Sequence, residues 1–216
     1  MMTILFDLDG TLLDTQEDLQ RSVNFTLREM QMPEITQQQT RAFVGGGITK
    51  LLERALPKNE KQRLPEALAL FLPHYQVHMN DHTAPYPGVL QLLADCRAKG
   101  WKTAVVSNKD DAPVQALCAQ FFLGLLDFSI GRRDGLPPKP APDSCYAALA
   151  ALGASTQATV YVGDSEVDIA TAKAADLPLI AVSWGFRDAE VLRQNGAAQI
   201  VENCAELWAL LYEWAE

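Results

Sequence analysis

Five short apolar runs rich in β-branched residues punctuate the chain, at Thr3–Phe6, 103–106, 159–162, Leu179–Val182 and 199–201, with amphipathic stretches between most of them. Near-continuous apolar runs of this length mark strands buried on both faces, and such strands belong to parallel sheets covered by helices. The intervening stretches carry helix punctuation. Asp143–Leu152 repeats Ala and Leu at helical spacing between Pro142 and Gly153, a start and a stop signal, and 89–100 ends in the same way at Gly100. The alternation predicts a doubly wound α/β domain built on a parallel sheet. Right-handed crossovers then align the loops that follow the strands along one edge of that sheet, where ligands bind in open α/β folds.

One interval is too long for a single crossover: residues 7–102 separate the first run from the second. Its content is helical. Leu19, Val23, Leu27 and Met30 recur near 3.6 spacing over 17–30, and 48–56 and 64–79 present similar faces. Pro85-Tyr86-Pro87-Gly88 closes the interval with a rigid turn. The boundaries expected are a discontinuous α/β core over 1–14 and 85–216, and a helical insert over 15–84 suited to closing over a site as a lid.

Three of the apolar runs end abruptly in polar residues: Ile4-Leu5-Phe6 in Asp7-Leu8-Asp9-Gly10-Thr11, Ala104-Val105-Val106 in Ser107-Asn108, and Val160-Tyr161-Val162 in Gly163-Asp164-Ser165-Glu166-Val167-Asp168. In a parallel sheet these ends share one edge, so Asp7, Asp9, Asp164 and Asp168 converge and repel unless a cation sits among them. Oxygen donors without His or Cys suit Mg²⁺ rather than zinc. A carboxylate beside such an ion can attack phosphorus and divide a hydrolysis into formation and breakdown of an aspartyl-phosphate. A second carboxylate two residues away can protonate the leaving oxygen and then activate water, and an extended backbone puts Asp7 and Asp9 on one side. Ser107 and the amide of Asn108 can donate to the phosphoryl group, and Lys139, in Lys139-Pro140-Ala141-Pro142, is expected in an extended loop that brings a fixed positive charge.

Composition excludes several alternatives. A net charge of −9 over 216 residues argues against nucleic acid or an anionic membrane surface as partner. With 48% hydrophobic and 21% charged residues the chain has material for a core. Cys96, Cys118, Cys145 and Cys204 form no Cys-x-x-Cys pair and read as reduced structural thiols. The opening run is too short for a signal peptide and no run reaches membrane-spanning length, so a cytoplasmic protein is expected.

Together these motifs resemble those of the haloacid dehalogenase superfamily of phosphatases. Asp7-x-Asp9-Gly10-Thr11, Ser107-Asn108, Lys139-Pro140 and Gly163-Asp164-x-x-x-Asp168 are similar in order and spacing to the four superfamily motifs, and Pro85-Tyr86-Pro87-Gly88 with Ser107-Asn108-Lys109 resembles the narrower phosphoglycolate phosphatase-like group. The resemblance spans nearly the whole chain. It implies a Rossmann-like core with a small helical cap that selects substrates, Asp7 as nucleophile, and Asp9 as general acid and base. It also implies Mg²⁺ held by Asp7, the backbone carbonyl of Asp9 and Asp164, with Asp168 in an outer position. The expected substrate is a small phosphate ester, 2-phosphoglycolate foremost, and the expected state a monomer or homodimer. A pyrophosphatase, nucleotidase or phosphosugar mutase is the alternative within the superfamily, and a silent phosphate-ester-binding module the alternative outside enzymes.

Departures narrow the choice. Dehalogenases and phosphonate-cleaving members lack the second aspartate that Asp9 supplies here. Mutases carry a Lys-Gly segment in the cap where this chain reads Phe43-Val44-Gly45-Gly46-Gly47, with Arg41 and Lys50 as nearby basic residues. His74, His78 and His82 fall four apart between Pro73 and Pro85 and read as one polar helical face rather than a metal site. Trp208, Leu211 and Tyr212 read as helix packing, and Trp184-Gly185 as a turn or a site edge.

Overall fold

β1 (Thr3–Phe6) is buried at every residue and pairs in parallel with a strand on each side, as an uninterrupted apolar run must. The computed structural model describes residues 2–215. The chain divides into two units, Met1–Leu13 with Pro85–Glu216, and Asp14–Ala84. After β1, β2 (Leu13–Asp14) leads into the second unit, which contains α1 (Gln16–Glu29), α2 (Gln37–Phe43), α3 (Gly47–Ala55) and α4 (Leu64–His78). β3 (Ala84–Pro85) leads back. There follow α5 (Val89–Ala98), β4 (Lys102–Asp110), α6 (Asp111–Phe121), β5 (Phe128–Arg132), α7 (Asp143–Leu152), β6 (Thr159–Gly163), α8 (Glu166–Ala174), β7 (Leu179–Val182), α9 (Ala189–Gln194), β8 (Ile200–Val201) and α10 (Cys204–Ala215).

The strands of the first unit form one parallel sheet in the order β5-β4-β1-β6-β7-β8. The chain thus builds outward from β1 on one side, returns, and builds outward on the other. This is the doubly wound arrangement, and its order reverses at β1, where such folds open a crevice at the carboxyl ends of the strands. Side-chain alternation separates two packed layers. Ile4, Phe6, Val105, Val160 and Val162 face Leu92, Leu93, Leu207 and Leu211 from α5 and α10. Leu5, Ala104, Val106 and Tyr161 face Cys145, Ala148 and Leu149 of α7 and Ala172 of α8.

Two strand expectations change. The run at 103–106 is part of the longer β4, so Ser107 and Asn108 lie within a strand rather than after it. Their stretch passes beyond the last β1 pair, Phe6 with Val105, and its register with β5 shifts between Val106 and Asp110. β5 lies outside the five apolar runs, because its five residues are mostly half-buried and include Ser129 and Gly131. It is an edge strand whose outer groups are capped by side chains: Gln115 donates to the Ser129 carbonyl at 2.9 Å and Asp111 accepts from the Gly131 amide at 2.8 Å.

Within the second unit, α1 buries Leu19, Val23 and Leu27, α3 buries Ile48, Leu51 and Leu52, and α4 buries Ala67, Phe71 and Tyr75. α2 lacks an apolar stripe, but Thr36 and Gln39 close a capping box at its start, a T-x-x-Q signal legible in sequence. The buried carboxylate of Asp18 accepts from the His82 and Thr83 amides and the Thr83 hydroxyl, at 3.0, 2.8 and 2.8 Å, and so ties the start of α1 to the segment that leaves the unit. The three histidines do not share one helical face. Pro73 lies inside α4, the helix ends at His78, and His82 falls in the segment beyond it. His74 stacks on Phe25 with centroids 4.0 Å apart, and His78 pairs with Asp81 at 2.7 Å. Among the described residues no helix is long and apolar enough to cross a membrane.

Candidate active site

Asp7 follows β1 directly, its amide donating to the Val162 carbonyl at 2.9 Å, which places its side chain at the switch point of the sheet. Lys139 reaches it from the loop before α7. That loop is not extended: the Ala141 amide closes on the Pro138 carbonyl at 3.0 Å, and the Lys139–Pro140 bond is cis. From this turn the lysine side chain points inward and is 2% exposed, with Nζ 2.8 Å from Asp7 Oδ1, 2.8 Å from Asp168 Oδ1, 3.0 Å from Tyr161 OH and 3.1 Å from the Val106 carbonyl. Asn108 fixes the same turn, its Nδ2 donating to the Lys139 carbonyl at 3.0 Å, while Ser107 Oγ accepts from the Lys109 amide at 3.2 Å.

Asp164 and Asp168 come from the β6 end and the first turn of α8. Asp164 Oδ2 accepts from the Phe186 amide at 2.7 Å and Oδ1 from Thr11 Oγ1 at 3.3 Å. Asp168 receives Lys139 and Tyr161 OH on Oδ1 and the amide and hydroxyl of Ser165 on Oδ2. Four donors occupy its lone pairs, which suits it to orienting Lys139 and capping α8 rather than to holding an ion. Ligand oxygens of Asp7, Asp164 and Asp168 nevertheless lie within 4.8 Å of one another.

Burial sets the electrostatics. It pushes the Asp7 carboxyl up to about 7, against the pull of Lys139 and with the help of Asp168 and Asp9. Asp164 is likewise held well above the usual carboxylate range by burial, then by Asp168 and Asp7. Although burial works against the Lys139 ammonium, Asp168 and Asp7 hold its pKa well above the ordinary value, so it stays charged. Two buried carboxylates that resist ionisation side by side, with oxygen donors throughout, form a donor set that a small hard divalent cation would relieve.

Close packing around Asp164 explains two glycines. Gly10, at φ 90°, and Gly185 both lie where a Cβ would overlap the Asp164 carboxylate. Gly185 belongs to the turn after β7, where the Trp184 indole donates to the Thr11 carbonyl at 3.0 Å, so this turn borders the site.

Not every sequence-predicted residue joins the cluster in the same way. Asp7, Lys139, Asp164 and Asp168 are brought together. Asp9 instead faces Lys109, whose Nζ sits 3.0 Å from each of its carboxylate oxygens. The sequence alone gives neither Lys109 nor Tyr161 a role: Lys109 reads as part of a motif and Tyr161 as an apolar strand position. The Tyr161 hydroxyl at the polar end of a buried strand was a signal, because a buried phenol needs a partner.

The sequence pattern of the family described as haloacid dehalogenase-like hydrolase matches residues 4–182. A phosphoglycolate phosphatase of Mesorhizobium japonicum is 36% identical over 205 residues, covering 91% of this chain and 89% of that protein. One from Aquifex aeolicus is 32% identical over 187 residues, 86% of each. A crystal structure from Lactobacillus delbrueckii subsp. bulgaricus, provisionally assigned as a phosphoglycolate phosphatase, superposes with a TM-score of 0.92 at 33% identity over 97% of both chains. With its parallel α/β core and the acidic cluster at the switch point, the chain belongs to the haloacid dehalogenase-like hydrolases and is a phosphatase of that superfamily.

Proposed function

We propose that the protein is a Mg²⁺-dependent phosphomonoester hydrolase that works through an aspartyl-phosphate on Asp7, with 2-phosphoglycolate as its substrate. The observation that carries this reading is the Asp7 carboxylate, buried at the switch point, 2.8 Å from the Lys139 ammonium and clustered with Asp164. The relatives named phosphoglycolate phosphatase support the substrate.

Mg²⁺ would be held by the carboxylates of Asp7 and Asp164 and the backbone carbonyl of Asp9, and when bound supplies positive charge that offsets the carboxylates and the phosphoryl oxygens. Asp7 forms the new bond to phosphorus as the ester P–O bond breaks. The departing oxygen keeps the electron pair and takes a proton from Asp9. Water then attacks the phosphorus of the aspartyl-phosphate, gives a proton to Asp9, and releases inorganic phosphate from Asp7. Ser107 and the Asn108 amide donate to the phosphoryl oxygens, and Lys139 holds Asp7 in place while balancing charge. The helical unit acts as the lid that selects the ester. A reducing compartment such as the cytoplasm accords with four buried free cysteines.

Asp7→Asn is expected to abolish Mg²⁺-dependent release of phosphate from 2-phosphoglycolate and from an aryl phosphate alike. Hydrolysis that survived this change would refute the nucleophile. A panel of phosphate esters, nucleotides, pyrophosphate and sugar phosphates, run with and without chelator, tests the substrate: a preferred ester other than 2-phosphoglycolate would replace it.

A further inference from the structure

Lys109 lies in β4 two residues after Ser107, and its side chain is 2% exposed. An ammonium withdrawn from water must be paired with opposite charge to stay ionised. Its partner is Asp9, one hundred residues away, with 3.0 Å from Nζ to each carboxylate oxygen and a carboxylate that is 15% exposed. A symmetric contact of this kind removes rotation of the carboxylate about its Cβ–Cγ bond. It uses one lone pair on each oxygen and leaves the other available. The same strand therefore carries the Ser107 hydroxyl and the cation that holds Asp9, so both are placed by one element. A mobile side chain, by contrast, would have to be oriented anew in each half-reaction.

We propose that Lys109 is a positioning residue for the reaction, acting through Asp9 by holding its carboxyl group in the orientation from which it exchanges a proton with the departing ester oxygen and with the attacking water. This rests on the roles proposed above for Asp7 and Asp9. No new bond is made to Lys109: the proton passes from Asp9 to the oxygen that leaves phosphorus with its electron pair, and returns to Asp9 from the water whose oxygen bonds to phosphorus.

The test compares Lys109→Met, which keeps the length and loses the charge, with Lys109→Arg and with Asp9→Asn. On an alkyl phosphate, Lys109→Met is expected to lower kcat about 10- to 100-fold, part of the contribution of general acid–base catalysis, with KM changed less than about threefold. Lys109→Arg should recover a substantial part of the loss. On 2,4-dinitrophenyl phosphate, whose leaving group needs no proton, the first turnover of Lys109→Met should match the parent enzyme. Slow steady-state turnover should follow as water activation becomes limiting.

An alkyl phosphate kcat within twofold of the parent would overturn the proposal. So would loss of the first turnover on the activated ester, because Lys109 would then serve phosphate binding or folding instead. Failure of the underlying reading is separate: it shows as full activity of Asp7→Asn or Asp9→Asn, whatever Lys109 does. Matching thermal unfolding of parent and variants confirms that the comparison is made on folded protein.

Discussion

At the scale of single residues the site is shaped by exclusion as much as by charge. Gly185 has no side chain because any Cβ there would strike the Gly10 carbonyl and the Asp164 carboxylate. Its neighbour Phe186 uses the resulting close approach to donate its amide to Asp164 at 2.7 Å. The backbone therefore orients a proposed metal ligand directly, in the way that outer groups tune ligands elsewhere. A Gly185→Ala chain is expected to bind Mg²⁺ about 10- to 100-fold more weakly by isothermal titration calorimetry, with unfolding still cooperative. Unchanged affinity would mean that the turn borders Asp164 without positioning it. From sequence the residue was legible only as a turn or a site edge, because its neighbour across the fold lies at Gly10.

At the scale of elements, α1 is closed onto its own unit by a buried carboxylate. Asp18 sits in the first turn of α1, where an acidic residue also complements the helix dipole, and accepts three donors from His82 and Thr83. Replacement by Ala would leave the buried amide and hydroxyl of Thr83 and the part-buried amide of His82 without that partner. The expected cost is about 2–4 kcal/mol, given about 1–3 kcal/mol for each buried group left unmade and some recovery by water. Hydrogen exchange should localise the loss to the amides of His82 and Thr83, and protection there equal to the parent would disprove the assignment. The helices α1, α3 and α4 were readable because each has an apolar stripe of its own. α2 lacks such a stripe, burying a single Thr40, and is marked in sequence only by its capping box, whereas β5 is a short, mostly half-buried edge strand capped by Asp111 and Gln115.

For the whole molecule, the cluster at the switch point couples stability to pH and metal. Folding raises the Asp7 carboxyl to about 7 by burial, and Asp164 shifts in the same direction. Between the usual carboxylate range and about 7 the folded state holds a proton that the unfolded chain has released. The contribution of these groups to stability therefore falls as pH rises through that window, and their full cost is present above it. Mg²⁺ needs the ionised carboxylates, so the gain in midpoint temperature from added Mg²⁺ is expected to be larger at pH 7.5 than at pH 5.5. Equal gains at both pH values would show that the ion binds elsewhere. The sequence by itself determined the parallel α/β core and the placement of Asp7 and Asp164 at strand ends, because apolar run length and the polar residue that stops each run are local properties that buried strands must obey. It also determined that the long interval is helical, through the 3.6 spacing of its apolar residues. Only the tertiary structure decided that Lys109 clamps Asp9, that Tyr161 and Asp168 share Lys139, and that Asp18 holds residues 82 and 83. Each of these contacts joins groups far apart in the chain at about 3 Å, and such distances depend on strand register and the path of the crossovers, which no local pattern encodes.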